Sequence, residues 1–436
     1  MVKQSFLNFD GNKPFLKKII FICIIFLIYL KEKKNFDSNF IKVAFYCNSI
    51  KYGGVERVIS LLINYISKDK RFIIYLITKT GKLKGEYPIS KNIKRIMLCK
   101  EKISLYEIIE INHFDIFIYN FYIKSEIEQL NKLNNIKIIY YDHSSFLYWI
   151  YRGIYKFNES IYNLYKESKY VLSLIPLEND YLFKRWGINS ILVDNPSSFN
   201  YDSVEPSDLI SKNIIMIGRS NDPIKRFDIG IRAMKIIIKY IPKCEMNIIS
   251  IPQIKYVSLI QKLKLENFVR FVGFHENIET FLKNSSLHIL PSLSESYSMA
   301  LSETKIFGIP SIIIGLDFLA LAKGGTVIIY DDNPDIIAKE AIKILKDDNL
   351  RKKLGKEARK SMKKRKNILI AKKWVKLLIS VYKGNNESFI KISDDREEMT
   401  EKEVEKILNN QLLLLIKRKP HLKYLTLEKL KNFSLF

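Results

Sequence analysis

The run NIIMIGRSNDPIKRFDIGIRAMKIIIKYI (213–241) holds three segments in order: an apolar stretch, a polar turn and an amphipathic stretch. The first is short enough for a buried strand, and the last has the length and period of a helix. Arg219 follows the strand directly, and Lys225 stands six residues later, ahead of the helix. A strand running through a turn into a helix is the half-unit of a parallel α/β sheet. Ligands of such sheets bind beyond the carboxyl ends of the strands, so both cations fall where a ligand would sit. An arginine forks two oxygens and a lysine adds a point charge, which suits a diphosphate. In a chain this rich in lysine, Lys225 alone carries little; the turn gives the pair its meaning.

The same rhythm extends in both directions. Downstream, strand-like runs occupy 246–251, 269–273, 286–291, 311–315 and 326–331, most of them separated by helical runs. Upstream, strands are expected at 41–47, 71–78, 114–120, 137–142, 171–176 and 190–195, with a helix over 55–66. Between the two sets, YDSVEPSDLISK (201–212) is polar, contains a proline and reads as a linker. The expected architecture is α/β, with two Rossmann-like doubly wound domains, 41–205 and 206–365, facing a cleft. A crossing helix over 366–387 follows, with Trp374 in an apolar face beside Ala371, Val375, Leu378 and Tyr382. Residues 388–436 form a helical appendage with an amphipathic helix near 400–418.

At 436 residues, 47% hydrophobic and 12% aromatic, the chain can bury real cores and is not a disordered one. Lys and Arg number 72 against 46 Asp and Glu, a net charge of +26. Such an excess favours phosphorylated small molecules, anionic membrane surfaces or nucleic acid. A lysine-rich coding bias gives the same excess, and no nucleic-acid motif accompanies it. Cys23, Cys47, Cys99 and Cys244 lack any paired spacing, which suggests neither a zinc site nor a disulfide framework and points to a reducing compartment. FLKKIIFICIIFLIYLKEKK (15–34) sets an apolar run between lysines, shorter than the ~20 residues of a spanning helix and without a small-residue cleavage site. Lysines at both flanks suit lipid head groups, so residues 1–40 are expected to associate with a membrane, spanning marginally or lying at the interface. An extra buried element is the alternative.

Three further strand ends carry unusual residues. NSIKYGGVERV (48–58) places Gly53 and Gly54 before a helix, where backbone can approach an anion closely, although an ordinary glycine turn has the same look. YYDHSS (140–145) ends a strand with His143, able to donate to a sugar hydroxyl or phosphate, or to exchange a proton; a lone histidine is also commonly structural. SLSESYSMALSETKIFGIPSIII (292–314) sets Glu295 and Glu303 across a loop-to-helix boundary. The helix is expected from Ser298 or Met299 to Gly308, a C-terminal glycine with Pro310 beyond. The two carboxylates then address different parts of one elongated ligand, unless both are solvated surface charges.

Together and in this order, these sites resemble the retaining glycosyltransferases of family 4, with the GT-B fold and the glycosyl transferases group 1 domain. The resemblance rests on Gly53-Gly54-Val55-Glu56, His143, Gly218-Arg219, Lys225-Arg226-Phe227-Asp228, and Glu295 with Glu303 followed by Gly308-Ile309-Pro310. Phe271-Val272-Gly273 and Asn195-Pro196 also fit, and the likeness covers roughly 41–384. It implies that Arg219 and Lys225 hold the diphosphate of a UDP- or GDP-linked sugar and stabilise it as leaving group. Glu295 and the following Ser296, Tyr297 and Ser298 would face the donor sugar, and Glu303 the ribose hydroxyls. His143 would contact the sugar from the opposite domain, Gly273 would lie near the base, and Gly53 and Gly54 would close over the phosphates. No metal and no other cofactor is implied. The expected acceptor is a glycan or lipid-linked saccharide, and the expected setting a membrane surface with the catalytic domains facing the cytoplasm. Many relatives have Glu-Gly-Phe-Gly where this chain has Glu295-Ser296-Tyr297-Ser298, and Thr304 replaces a usual alanine, so sugar preference does not transfer. A nucleotide-sugar 2-epimerase-like isomerase and a non-catalytic, membrane-attached glycan-binding protein are the competing readings.

Overall fold

A computed structural model describes residues 40–101, 103–152, 155–275, 277–391 and 398–432. The apolar N-terminal run therefore lies outside the described residues, and among those described no helix is long and apolar enough to cross a membrane. Residues 41–436 form one compact unit with two lobes, each built on a wholly parallel sheet.

In the first lobe the strands are β1 (Ile41–Cys47), β2 (Phe72–Thr78), β3 (Lys94–Met97), β4 (Ile116–Tyr119), β5 (Lys137–Tyr141), β6 (Tyr170–Ser173) and β7 (Ser190–Leu192). Their spatial order is β3-β2-β1-β4-β5-β6-β7. The second lobe has β8 (Ile214–Ile217), β9 (Met246–Ile249), β10 (Val269–Phe271), β11 (Leu287–Leu290), β12 (Ser311–Ile314) and β13 (Thr326–Ile329), in the order β10-β9-β8-β11-β12-β13. Strand order reverses between β1 and β4, where Tyr46 pairs with Tyr119, and between β8 and β11, where Ile214 pairs with Leu287. These are topological switch points, and loops leaving them part to open a crevice.

The strands form because their residues are apolar on both faces, as a sheet covered by helices on each side requires. Every residue of β4, β11 and β12 is buried. Close helix approach is built in at Gly230 of the helix Phe227–Tyr240, where a Cβ would fall 2.4 Å from the Met216 sulfur on β8. β3 breaks the pattern: KRIM is a half-exposed edge strand, unmarked by any apolar run.

The polar connection at 201–212 is pinned, not slack. Arg351 Nε donates to Leu209 O at 2.8 Å, and Arg359 Nη2 donates to Tyr201 O and Val204 O at 3.0 and 2.9 Å. The helix Asn367–Lys383 leaves the second lobe and returns to the first. There Trp374, fully buried, lies 6.2 Å from the Phe45 ring and 5.2 Å from that of Tyr141.

The C-terminal helix Glu401–Arg418 begins in a capping box of Thr400 and Glu403 and lies against both lobes. On the second, Gln411 Nε2 donates to Gly315 O at 2.7 Å, and Leu414 covers Gly315 so closely that a Cβ there would meet its Cδ1 at 2.0 Å. Its last residue, Arg418, forks onto Asp332 at 2.7 and 2.8 Å while Nη1 donates to the Tyr151 hydroxyl of the first lobe at 2.7 Å. Lys419 Nζ adds a bond to Tyr151 O at 2.8 Å. Asp332 is thus a shared anchor, because it binds Arg226 as well.

Candidate active site

The loops of both switch points meet around a cavity of about 670 Å³. After β8, the Asp222 carboxylate accepts from Ile224 N, and Pro223–Lys225 form a single 3-10 turn. Arg226 takes a left-handed φ of 48°, and the helix starts at Phe227. This folds Lys225 back over Gly218, where any Cβ would press on its side chain at 3.3 Å. After β11, Leu293 N donates to Ile224 O at 2.9 Å, drawing the second loop against the first. Glu295 consequently meets Lys225, with Nζ 2.6 Å from Oε1. Arg219 remains 64% exposed and has Asp222 at 3.6 Å, so its guanidinium is free to turn toward an anion.

Ser298 stands before the helix Met299–Ile306 with φ +66°, a backbone conformation that glycine adopts without strain. Its hydroxyl accepts from Leu301 N. The amides of Met299 and Ala300, first in the helix, have no intrahelical acceptor and border the cavity as an anion-binding end. The helix stops where expected: Gly308 has φ +68°, with Gly308 N on Lys305 O and Ile309 N on Thr304 O.

Glu303 is buried one helical turn further in. Burial raises its pKa, against the opposing effects of the nearby Arg57 charge and a hydrogen bond from the Ser198 hydroxyl. Thr304, the departure from the usual alanine, faces the core: its Oγ1 lies 3.3 Å from Nδ1 of the buried His288, which also meets Ser311 Oγ at 3.2 Å. The substitution belongs to a private polar contact in the interior and not to the cavity. Lys305 is buried as well, its pKa lowered to about 7 by desolvation, and its ammonium donates to Lys323 O and Gly324 O at 2.6 and 2.8 Å.

The first lobe supplies the opposite wall. Gly53 and Gly54 lie on it, and the Glu56 carboxylate folds back so closely over Gly53 that a Cβ there would make it swing aside. Tyr52 reaches across to Phe274 of the second lobe, edge to face at 5.2 Å. His143 also faces the cavity. Its ring packs against Tyr141, centroids 3.9 Å apart and tilted by 46°, Nε2 is 3.0 Å from Asn120 Oδ1, and burial lowers its pKa to about 3. It is a neutral imidazole at physiological pH. Ser145 and Ser294 join the lobes by a hydroxyl–hydroxyl hydrogen bond.

Of the residues singled out in the sequence, Gly53, Gly54, His143, Arg219, Lys225, Glu295, Ser296, Tyr297, Ser298 and Glu303 all border this one cavity. Gly273 does not. It turns the chain with φ +82° and delivers Phe274 and His275 to the wall instead. Sequence reasoning missed Asn120, Ser198, Arg57 and the Tyr52–Phe274 contact. Asn120 directly follows β4 and could have been found from the switch-point rule; the others depend on pairings between distant segments.

Residues 201–361 match the family model of glycosyl transferases group 1. That span contains Arg219, Lys225, Glu295 and Glu303. N-acetyl-alpha-D-glucosaminyl L-malate synthase of Bacillus anthracis is 30% identical over 116 residues, which is 24% of this chain and 29% of that protein. The chain thus matches under a third of the length of this curated relative. Among solved structures, sucrose-phosphate synthase of Thermosynechococcus elongatus superposes with a TM-score of 0.65 at 16% identity, covering 79% of this chain and all of that one. HepE of Anabaena, solved with UDP and glucose, gives 0.61 at 15% identity over 78% of this chain and all of that one. The fold is that of the GT-B glycosyltransferases, two parallel-sheet lobes with C-terminal helices.

Proposed function

We propose that this chain is a retaining glycosyltransferase. It moves a hexose-type residue from a UDP- or GDP-linked donor to a glycan or lipid-linked saccharide acceptor, with no metal ion taking part. The observation that carries the reading is the convergence of Arg219, Lys225 and the helix start at Met299 and Ala300 on one cavity that also holds the Glu295 carboxylate, the buried Glu303 and a neutral imidazole. Cleaving the anomeric C–O bond leaves negative charge on the diphosphate, and preorganised cations and amides beside that oxygen lower the barrier. The acceptor hydroxyl forms the new C–O bond, and its proton leaves with the diphosphate. In this reading Glu303 holds the ribose hydroxyls and Glu295 addresses the sugar once its lysine turns to the diphosphate. The retaining outcome and the acceptor class follow from the resemblance to family 4, and the apolar segment in 1–40 would keep the enzyme at the membrane, with its lobes in the cytoplasm.

A thermal-shift screen of the full chain against nucleoside diphosphates and nucleotide-sugars tests this, since a ligand bound only by the native state raises apparent stability. A nucleoside diphosphate and its cognate sugar donor are expected to raise the melting temperature, and anomer analysis of the product is expected to show retention. Absence of any shift would remove the reading, and donor conversion without an acceptor would turn it toward an isomerase.

A further inference from the structure

Asn120 is the first residue after β4, at the switch point of the first lobe, and its side chain is buried beneath the cavity wall. Its amide nitrogen donates to Tyr46 O at 3.1 Å and to Ile118 O at 3.4 Å. Both are carbonyls and can only accept, so the orientation of the amide is fixed and its oxygen must be the atom that meets His143 Nε2 at 3.0 Å. An amide oxygen cannot donate. His143 Nε2 therefore carries the proton, and in a neutral ring Nδ1 is then a bare acceptor.

The rest of the surroundings keep the ring still. It packs against the tilted Tyr141 ring at 3.9 Å between centroids, and the His143 backbone amide donates to the Tyr122 hydroxyl, which itself donates to Asp142 at 2.9 Å. Oδ1 of Asp142 accepts from Tyr122, Ser144 N and Ser144 Oγ, its buried Oδ2 has no hydrogen-bond partner, and no hydrogen bond joins the carboxylate to the imidazole.

We infer that Asn120 is a positioning residue that holds His143 in the Nε2–H tautomer, so that the imidazole meets its ligand as a hydrogen-bond acceptor for a sugar hydroxyl. The tautomer stands on the hydrogen bonds alone, whereas the hydroxyl contact rests on the transfer reading above. It also divides the ligand: lone pair against lone pair is repulsive, so His143 belongs at the sugar and not at the diphosphate, and a donor lacking that one hydroxyl loses the contact.

Full-length protein with ¹⁵N-labelled histidine reports the ring directly. The His143 signals are expected to show a protonated Nε2 and an unprotonated Nδ1, unchanged from pH 8 to pH 5. In Asn120→Leu the proton should shift measurably onto Nδ1, and kcat/KM with UDP-glucose as donor probe should fall between about tenfold and a hundredfold. Asn120→Asp keeps an acceptor at the same place, so it should preserve the Nε2 proton while moving His143 protonation to higher pH. A proton on Nδ1 in the wild type overturns the inference, as does an unchanged ring pattern in both variants. UDP-glucose that binds and leaves the Nδ1 shift unmoved overturns the hydroxyl contact. The wild-type ring spectrum needs no substrate, so a failure of the transferase reading itself would appear separately, as absent turnover with an intact tautomer.

Discussion

Lys225 Nζ stands 2.6 Å from Glu295 Oε1, with 19% and 10% of the two side chains exposed. The cation expected at a diphosphate and the carboxylate expected at a sugar are each other's partner. In the proposed transfer reaction a donor would exchange this contact for two others, and the pair meanwhile leaves neither charge bare.

Lys225→Ala and Glu295→Ala are each expected to lower donor turnover at least a hundredfold, the scale of losing one preorganised charged contact, while circular dichroism stays native. Removing either partner strands a largely buried charge, so Lys225→Met with Glu295→Gln together should destabilise by about 1 kcal/mol less than the sum of Lys225→Met alone and Glu295→Gln alone. Urea unfolding of the four proteins measures this. Turnover near wild type in both alanine variants would refute the site.

Glu303 is buried with its pKa raised. A carboxyl group easier to protonate when folded favours the fold fully below its ordinary value of 4.5, and this contribution is lost as pH rises through the higher folded value. Glu303→Gln, which can still accept from Ser198, should therefore raise the melting temperature at pH 7.5 by the equivalent of about 1 kcal/mol. The gain should vanish below pH 4.5, and donor affinity should fall throughout. A variant less stable than wild type at pH 7.5 would contradict this account.

Ser298 holds φ +66° at the helix entrance. Ser298→Gly relieves that strain but gives up the cap on Leu301 N and adds freedom to the unfolded chain, so the net change should lie within about 1 kcal/mol of zero. Ser298→Val, which cannot cap and tolerates the conformation poorly, should lose about 2 kcal/mol or more. Chemical denaturation distinguishes the two.

Arg418→Met removes the fork on Asp332 and the bond to Tyr151 together. With Asp332 left partly buried beside Arg226 alone, a loss of about 2–3 kcal/mol is expected. Faster amide exchange is expected in 146–152 and 331–334, the segments this residue joins. Unchanged exchange there would show that the C-terminal helix does not brace the lobes.

Apolar runs revealed twelve of the thirteen strands among the described residues because a doubly covered parallel sheet needs side chains such as Ile118 or Ile313 on either face, whichever way they point. β3 was illegible for the converse reason: Lys94 and Arg95 meet solvent at an edge. The site was legible where chemistry follows a strand end, at Arg219, Lys225, His143 and Glu295. It was illegible where contact depends on how the lobes meet. Ser198 and Glu303 lie 105 residues apart, and no local pattern announces that pairing. The Lys225–Glu295 contact was hidden differently, since both residues were read as addressing a ligand and their attraction for one another was not weighed.

Arg418 closes its clamp from outside the span 201–361 that matches the family, taking Asp332 within that span and Tyr151 before it. In enzymes whose pace is set by opening and product departure, such a brace sets the cadence of the cycle from outside the chemistry. Drift in a helix that lines no part of the cavity could then change how the lobes part while every residue of the cavity wall stays as it is.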